Sequence, residues 1–364
     1  MICAVGAYCS IRGISRMYSL VLSIIACRKA IQCELTFFYS LLVMIKNNFD
    51  ILRIVLALIV MLFHIGGLAN IPVLTFFPGG LAVKCFFVIS GFLITKSYLK
   101  NNGIKTYIKS RFMRVYPLYF VVIITSFLIG LVITSYDYHT YLVESLRYLA
   151  SNLVFLNFLQ PTLPGVFTDI GNHSAVNGSL WTIKVEVMFY ISIPIIYGFF
   201  TKFFSKEKLT ILIFILSVSC FYVLSYIINE YGLNKSVNNQ LPSLMSYFMV
   251  GAYLSFVGLN SKYIKGLLLP SLLGIYSSIE LFMPLSVGIL TAYLAFYTPQ
   301  IKVDKKVGDL SYGIYIWHFP VIQLYLYLGL FSSPLLGVFM VTLTVGALAY
   351  ISWHYLENRI IHRY

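Results

Sequence analysis

Arg53 and His64 stand eleven positions apart in one apolar stretch, NFDILRIVLALIVMLFHIGGLAN, with nothing charged beside the histidine. Eleven helical steps of about 100° return almost to the starting angle, so both side chains leave one face, about 16 Å apart along the axis. A neutral imidazole accepts protons near neutral pH. A guanidinium stays charged and binds phosphate through paired N–H groups. Ionisable groups within a bilayer are costly and face a protein interior or a wet cavity. The pair therefore points to a site that runs from the membrane surface toward its middle.

Other segments add groups of the same kind. In KSRFMRVYPLY, Arg111 and Arg114 lie three apart and share a helical face. Phosphate binding is the functional reading of that pair, and stop-transfer charge, which suffices for Lys105 and Lys109, is the bland one. In NGSLWTIKVEVMFYIS, Ser179, Thr182, Glu186 and Tyr190 fall at helical spacing beside Trp181. Glu186 lies about 12 Å from the helix start, too deep for a carboxylate to face lipid unpaired. Lys184 is either its local charge partner or snorkels outward. In FFVISGF, Ser90 and Gly91 mark either close helix packing or the wall of a cleft. In KVGDLSYGIYIWHFP, Ser311, Tyr315 and His318 recur at i, i+4 and i+7, with Tyr312 beside them. The stripe reads as interhelical hydrogen bonding or as a site, and a second mid-span histidine among only six in the chain favours the site. His139, His173, His354 and His362 sit in loops or near ends and add nothing to this set.

The elements that must carry these residues are membrane helices. Hydrophobic residues make up 59% of the 364, charged residues 10%, and the mean hydropathy is +0.86. A soluble domain carries about 25% charge. Apolar segments fall at about 51–70, 80–99, 115–134, 179–200, 209–229, 243–259, 265–280, 282–299, 309–329 and 335–356. The expected fold is an all-α, polytopic bundle of about ten transmembrane helices. The net charge of +14 invites a nucleic-acid partner, but its placement argues against one. Alternate loops hold Lys96 to Arg114, then Lys202, Lys206 and Lys208, then Lys262 and Lys265, then Lys302, Lys305 and Lys306. The opposite loops hold only Arg147 and Lys235. By the positive-inside rule both termini are cytoplasmic. Residues 141–178 read as an outer loop containing a re-entrant or surface-lying helix, since counting them as a crossing would place TKFFSKEK outside.

Residues 1–43 differ from the rest. They hold four of the six cysteines, their apolar runs are too short to span, and they lack a signal-peptide pattern. They are expected to be an N-terminal extension outside the fold, with residues 44–364 forming the transmembrane domain. Cys85 and Cys220 are too few to suggest a metal site or a disulfide framework.

Taken together, Arg53 with His64, FFVISGFLIT, the Arg111/Arg114 pair before VYPLY, SLWTIKVEVMFY and LSYGIYIWHFP resemble the membrane-bound acyltransferase-3 family. Its members are polytopic O-acyltransferases of bacterial surface polysaccharides. The likeness runs from about Phe49 to the end, with an echo of the family's closing motif in SWHYLEN at Glu357. It implies that His64 is the catalytic histidine and that Arg53, Arg111 and Arg114 serve an acyl donor, acetyl-coenzyme A by default. It implies a carbohydrate acceptor, an O-antigen or lipopolysaccharide glycan or its lipid-linked precursor, and a place in the bacterial cytoplasmic membrane. Two departures stand out. Lys84 replaces an acidic residue found in many members, and Arg359 replaces a proline at a helix end.

The chemistry then follows. His64 takes a proton from an acceptor hydroxyl, the hydroxyl attacks a thioester carbonyl, and Ser90, Tyr312 or Tyr315 donates to the oxyanion, with Glu186, Trp181 and His318 nearby. The rival reading is a transporter or flippase of a lipid-linked glycan, with the buried His and Glu as a proton relay. The absence of an internal repeat in the sequence weighs against it.

Overall fold

The computed structural model describes residues 47–100, 103–168, 174–257, 261–303 and 307–361, so the proposed extension 1–43 lies outside the described residues. Fourteen α-helices follow one another, with no strand among the described residues. They are α1 (Phe49–Leu68), the single turn α2 (Pro72–Thr75), α3 (Gly79–Lys100), α4 (Ile104–Ile133) and α5 (Tyr138–Leu153). Next come α6 (Leu180–Ile193), extended by a π-turn over Pro194–Phe199, then α7 (Lys206–Tyr231) and α8 (Leu241–Phe256). The last are α9 (Ser261–Gly266), α10 (Leu268–Ser277), α11 (Met283–Phe296), α12 (Ser311–Tyr327), α13 (Pro334–Ser352) and α14 (Asn358–Ile361).

Six stretches are long and apolar enough to cross a bilayer: α1, α2 with α3, α4, α6 with its extension, α7, and α13 with the turns after it. They coincide with six of the ten expected segments. The other four expectations meet shorter helices: α8 has 16 residues, α10 has 10, α11 has 14 and α12 has 17. In α8 and α12 the reason is enclosure. Every residue of α8 from Ser243 to Ala252, and every residue of α12 from Ser311 to Gln323, is buried. Their hydrophobicity serves protein packing on all sides, and a central helix need not match the lipid thickness by itself. The segment 265–280 is interrupted at Leu267, between the end of α9 and the start of α10.

The loop 141–178 contains α5, capped by Asp137, whose carboxylate accepts from Thr140 N. The helix runs back beside α4. Tyr141 Oη donates to Phe127 O at 2.7 Å, and Tyr119 Oη donates to Asn152 O at 2.7 Å. The chain then returns to its starting level, where Ser135 N donates to Gly165 O. The segment thus leaves and rejoins the end of α4 as a helix-containing loop tied to α4 by side-chain-to-backbone hydrogen bonds.

Two devices set the inner helices. At the α3–α8 crossing, a Cβ on Gly91 would lie 2.0 Å from Phe248 O, and one on Gly251 would lie 1.9 Å from Val88 O. The two backbones touch through reciprocal glycines, as membrane helices do when small residues face each other. In α12, Pro320 supplies no N–H, which orphans the carbonyl four residues back. That carbonyl, Ile316 O, accepts instead from Asn177 Nδ2 at 3.0 Å. Asn177 Oδ1 in turn accepts from Ser179 Oγ and Ser179 N at the start of α6. One proline thus ties the histidine-bearing helix to the glutamate-bearing one.

Candidate active site

At the Arg53 end of the bundle, Arg53 Nη1 lies 2.8 Å from Asp309 Oδ2, and Arg114 Nη2 bonds the same oxygen. Arg114 Nη1 also reaches Glu357 Oε2 at 3.4 Å. Asp309 lies in the loop ahead of α12 and additionally accepts from Ser311 Oγ at 2.5 Å. Burial alone would raise its carboxyl, but the two guanidinium groups outweigh this and hold it below the usual carboxylate range. Arg111 differs from the other two. Its Nη2 donates to Ser97 Oγ at 3.0 Å, its buried Nε has no hydrogen-bond partner, and it joins none of the salt bridges among the described residues. The Arg111/Arg114 pair therefore splits in its partners: Arg114 is ion-paired to two carboxylates, whereas Arg111 has no carboxylate within salt-bridge distance among the described residues.

Arg53, Arg111, Arg114, Ser90, Glu186, Tyr190 and Tyr312 line one small cavity of about 80 Å³. A second of about 60 Å³ shares Arg53, Ser90, Glu186 and Tyr312 and adds Thr182 and Tyr315. A third of about 220 Å³ shares Val83, Phe87 and Tyr315 with the second and adds His64, Lys84, Trp181 and Asn239. The lining is continuous in residues from the arginine cluster to His64.

The hydrogen bonds sort the candidates further. Glu186 Oε1 accepts from Tyr190 Oη at 2.6 Å and from Ser90 Oγ at 3.4 Å. Lys184 is not its partner. Its ammonium bonds Gln240 Oε1 at 2.7 Å and lies over the Phe158 ring. Tyr315 Oη shares a hydrogen bond with Thr182 Oγ1 at 2.7 Å. Tyr312 Oη donates to Val115 O at 2.8 Å, so its proton is committed to backbone although its ring lines the passage. Trp181 borders the third cavity, with His64. His64 and His318 meet, with Nδ1 of the first 2.9 Å from Nε2 of the second.

Sequence reasoning missed Asp309, which organises the arginines. The signal was present: it is the lone acid in KVGDLSYG, immediately ahead of the polar stripe. It also missed that an acid stands beside Lys84. Glu280 Oε2 lies 3.5 Å from Lys84 Nζ, and its other oxygen accepts from Tyr247 Oη. Arg359 sits within α14, stacked over Tyr355. Cys85 is buried in the core. No cluster of His, Cys, Asp or Glu among the described residues could hold a metal ion.

The family model for the acyltransferase-3 acyltransferase domain matches residues 46–354. The chain belongs to this family. It is 29% identical to an O-acetyl transferase of Shigella phage Sf6 over 344 residues, 87% of this chain and 97% of the phage protein. It is 26% identical to a putative acetyltransferase of Acidianus two-tailed virus, over 72% of this chain and 79% of that one. It is 25% identical to a peptidoglycan O-acetyltransferase of Listeria monocytogenes, over 68% of this chain but only 45% of the Listeria protein. No solved structure matches. This acyltransferase-3 protein is thus an acyltransferase with helices suited to a membrane, and its relatives support O-acetylation as its chemistry.

Proposed function

We propose that this acyltransferase moves an acetyl group from acetyl-coenzyme A on the cytoplasmic side to a hydroxyl of a cell-surface polysaccharide, or its lipid-linked precursor, on the outer side. The observation that carries the reading is the passage itself. Residues lining one cavity also line the next, from Arg53, Arg111 and Arg114 to His64. A thioester on a long flexible arm suits that arrangement. Its phosphates rest on the cationic end, chiefly on Arg111, while the acyl group reaches the histidine. The lysine and arginine distribution supports ten crossings with both termini in the cytoplasm of a bacterial inner membrane, α8, α10, α11 and α12 making up the count with their flanking turns.

In the transfer step His64 removes the proton of the acceptor hydroxyl as its oxygen attacks the thioester carbonyl. The new C–O bond forms, and the carbonyl pair moves to oxygen, where Ser90 or Tyr315 donates a hydrogen bond. Collapse breaks the C–S bond, and the imidazolium returns the proton to the leaving sulfur. Trp181 offers a flat apolar face to a sugar ring in the third cavity.

The test is mass spectrometry of surface polysaccharide from cells with and without the protein, and with His64→Ala. Loss of acetyl groups in both deficient strains, at unchanged membrane abundance of the variant, is expected. Retained acetylation with His64→Ala would remove the catalytic role. Lost glycan export in place of lost acetylation would point to a transporter.

A further inference from the structure

The two histidines form a directed chain. His64 belongs to α1 and His318 to α12, and their rings stack with centroids 5.0 Å apart and planes 20° from parallel. His318 is fully buried, and its Nδ1 lies 3.2 Å from Ile314 O. A carbonyl oxygen offers only lone pairs, so that contact is a hydrogen bond when Nδ1 of His318 carries the proton. No salt bridge to His318 is formed among the described residues, and an imidazolium enclosed at that depth is costly, so His318 is neutral and its Nε2 bears a lone pair. The 2.9 Å contact then needs a donor from the other side, which is His64 Nδ1–H. Neutral His64 has one proton, already placed, so its own lone pair is at Nε2.

We infer that His318 is a positioning residue that fixes the tautomer and ring orientation of His64, so that the transferred proton is accepted at His64 Nε2. The inference rests on the reading of His64 as the base. When the acceptor O–H breaks, the proton joins Nε2 and the positive ring donates its existing Nδ1–H to His318 Nε2, now as a charge-assisted bond. His318 touches no reacting atom and gains no proton. Catalytic histidines are commonly oriented by a carboxylate or carbonyl. A neutral imidazole does the same work here without adding a second charge to an intramembrane site. Ile314 O completes the relay from the same helix, so the orientation is set by backbone.

The decisive measurement uses the purified full-length protein in nanodiscs with ¹⁵N-labelled histidine. Chemical shifts of the His64 ring, assigned by their loss in His64→Gln, report which nitrogen is protonated. The Nδ1–H form is expected in the unaltered protein, and the Nε2–H form there would overturn the inference. Two variants extend the test. In His318→Gln the amide oxygen can occupy the accepting position, and the Nδ1–H form should persist with thiol release from acetyl-coenzyme A within a few fold. In His318→Phe the acceptor is gone. The shifts should move toward Nε2–H and kcat should fall at least about tenfold with KM for acetyl-coenzyme A unchanged. Unchanged shifts and kcat in His318→Phe would refute the positioning role. Full activity of His64→Ala would instead refute the base assignment, so the two failures are separable.

Discussion

Arg53 and Arg114, from different helices, direct guanidinium nitrogens at the same oxygen of Asp309. The clamp joins α1, α4 and the loop before α12, and Glu357 adds the turn after α13 through Arg114. It defines the cationic end of the passage while neutralising most of the charge that the sequence places there.

Removing the shared carboxylate should therefore act on stability first. Asp309→Asn leaves two partly buried guanidinium groups underpaired, a change that costs about 3 kcal/mol where such pairs are broken on one side. A lowered melting temperature in detergent or nanodiscs is the expected result. Because the folded state depresses this carboxyl, its contribution is complete above about pH 4 and is lost as pH falls through the lower folded value. The acid limb of the stability profile should flatten in Asp309→Asn, whereas an unchanged limb would contradict the clamp.

Arg111 should behave in the opposite way. With no carboxylate partner to abandon, Arg111→Ala should keep the melting temperature while raising KM for acetyl-coenzyme A. A lost charge-assisted hydrogen bond of about 2 kcal/mol corresponds to roughly thirtyfold. Arg114→Ala should lose thermal stability as well, and equal stability loss in both variants would erase the distinction.

The oxyanion candidates separate by hydrogen-bond commitment. Ser90 lines two successive cavities and has a rotatable hydroxyl at 3.4 Å from Glu186. Ser90→Ala should reduce kcat about a hundredfold with KM little altered, the size seen for loss of one such donor. Tyr312→Phe should cost about 1 kcal/mol of stability, since its proton serves Val115 O, and only a small part of kcat. The reverse ranking in steady-state assays would exchange their roles.

Lys84 tests the family departure. Lys84→Met strands Glu280 beside Tyr247, and the protein should be less stable than with Lys84→Met and Glu280→Gln together. Thermal melts of the two singles and the double form the cycle, and strict additivity would show that the ammonium and carboxylate do not interact.

The histidine on α1, the glutamate on α6 and the stripe on α12 were legible because charge in an apolar run has few structural explanations. The helical phase of Ser311, Tyr315 and His318 was legible too, although each side chain meets a different partner. What stayed hidden depends on distance in sequence. Asp309 acquires its meaning only when the fold brings Arg53 and Arg114 to it. Glu280 meets Lys84 across 196 positions. Of the two readings of Lys184, sequence could not exclude pairing with Glu186, because it shows proximity and not side-chain direction. Enclosure hid the lengths of α8 and α12, since an apolar helix reads the same whether it faces protein or lipid.

The reciprocal glycines at Gly91 and Gly251 carry one last implication. Because main chain rests on main chain there, α3 and α8 meet with no side chain between them at Gly91 and Gly251. Ser90 is the immediate neighbour of that weld. On the proposed function the wall bearing it is an anvil, and entry of the donor and acceptor is expected from the opposing α6 and α12 side. Crosslinks that immobilise α3 against α8 should be harmless, while the same staple between α3 and α6 should halt turnover.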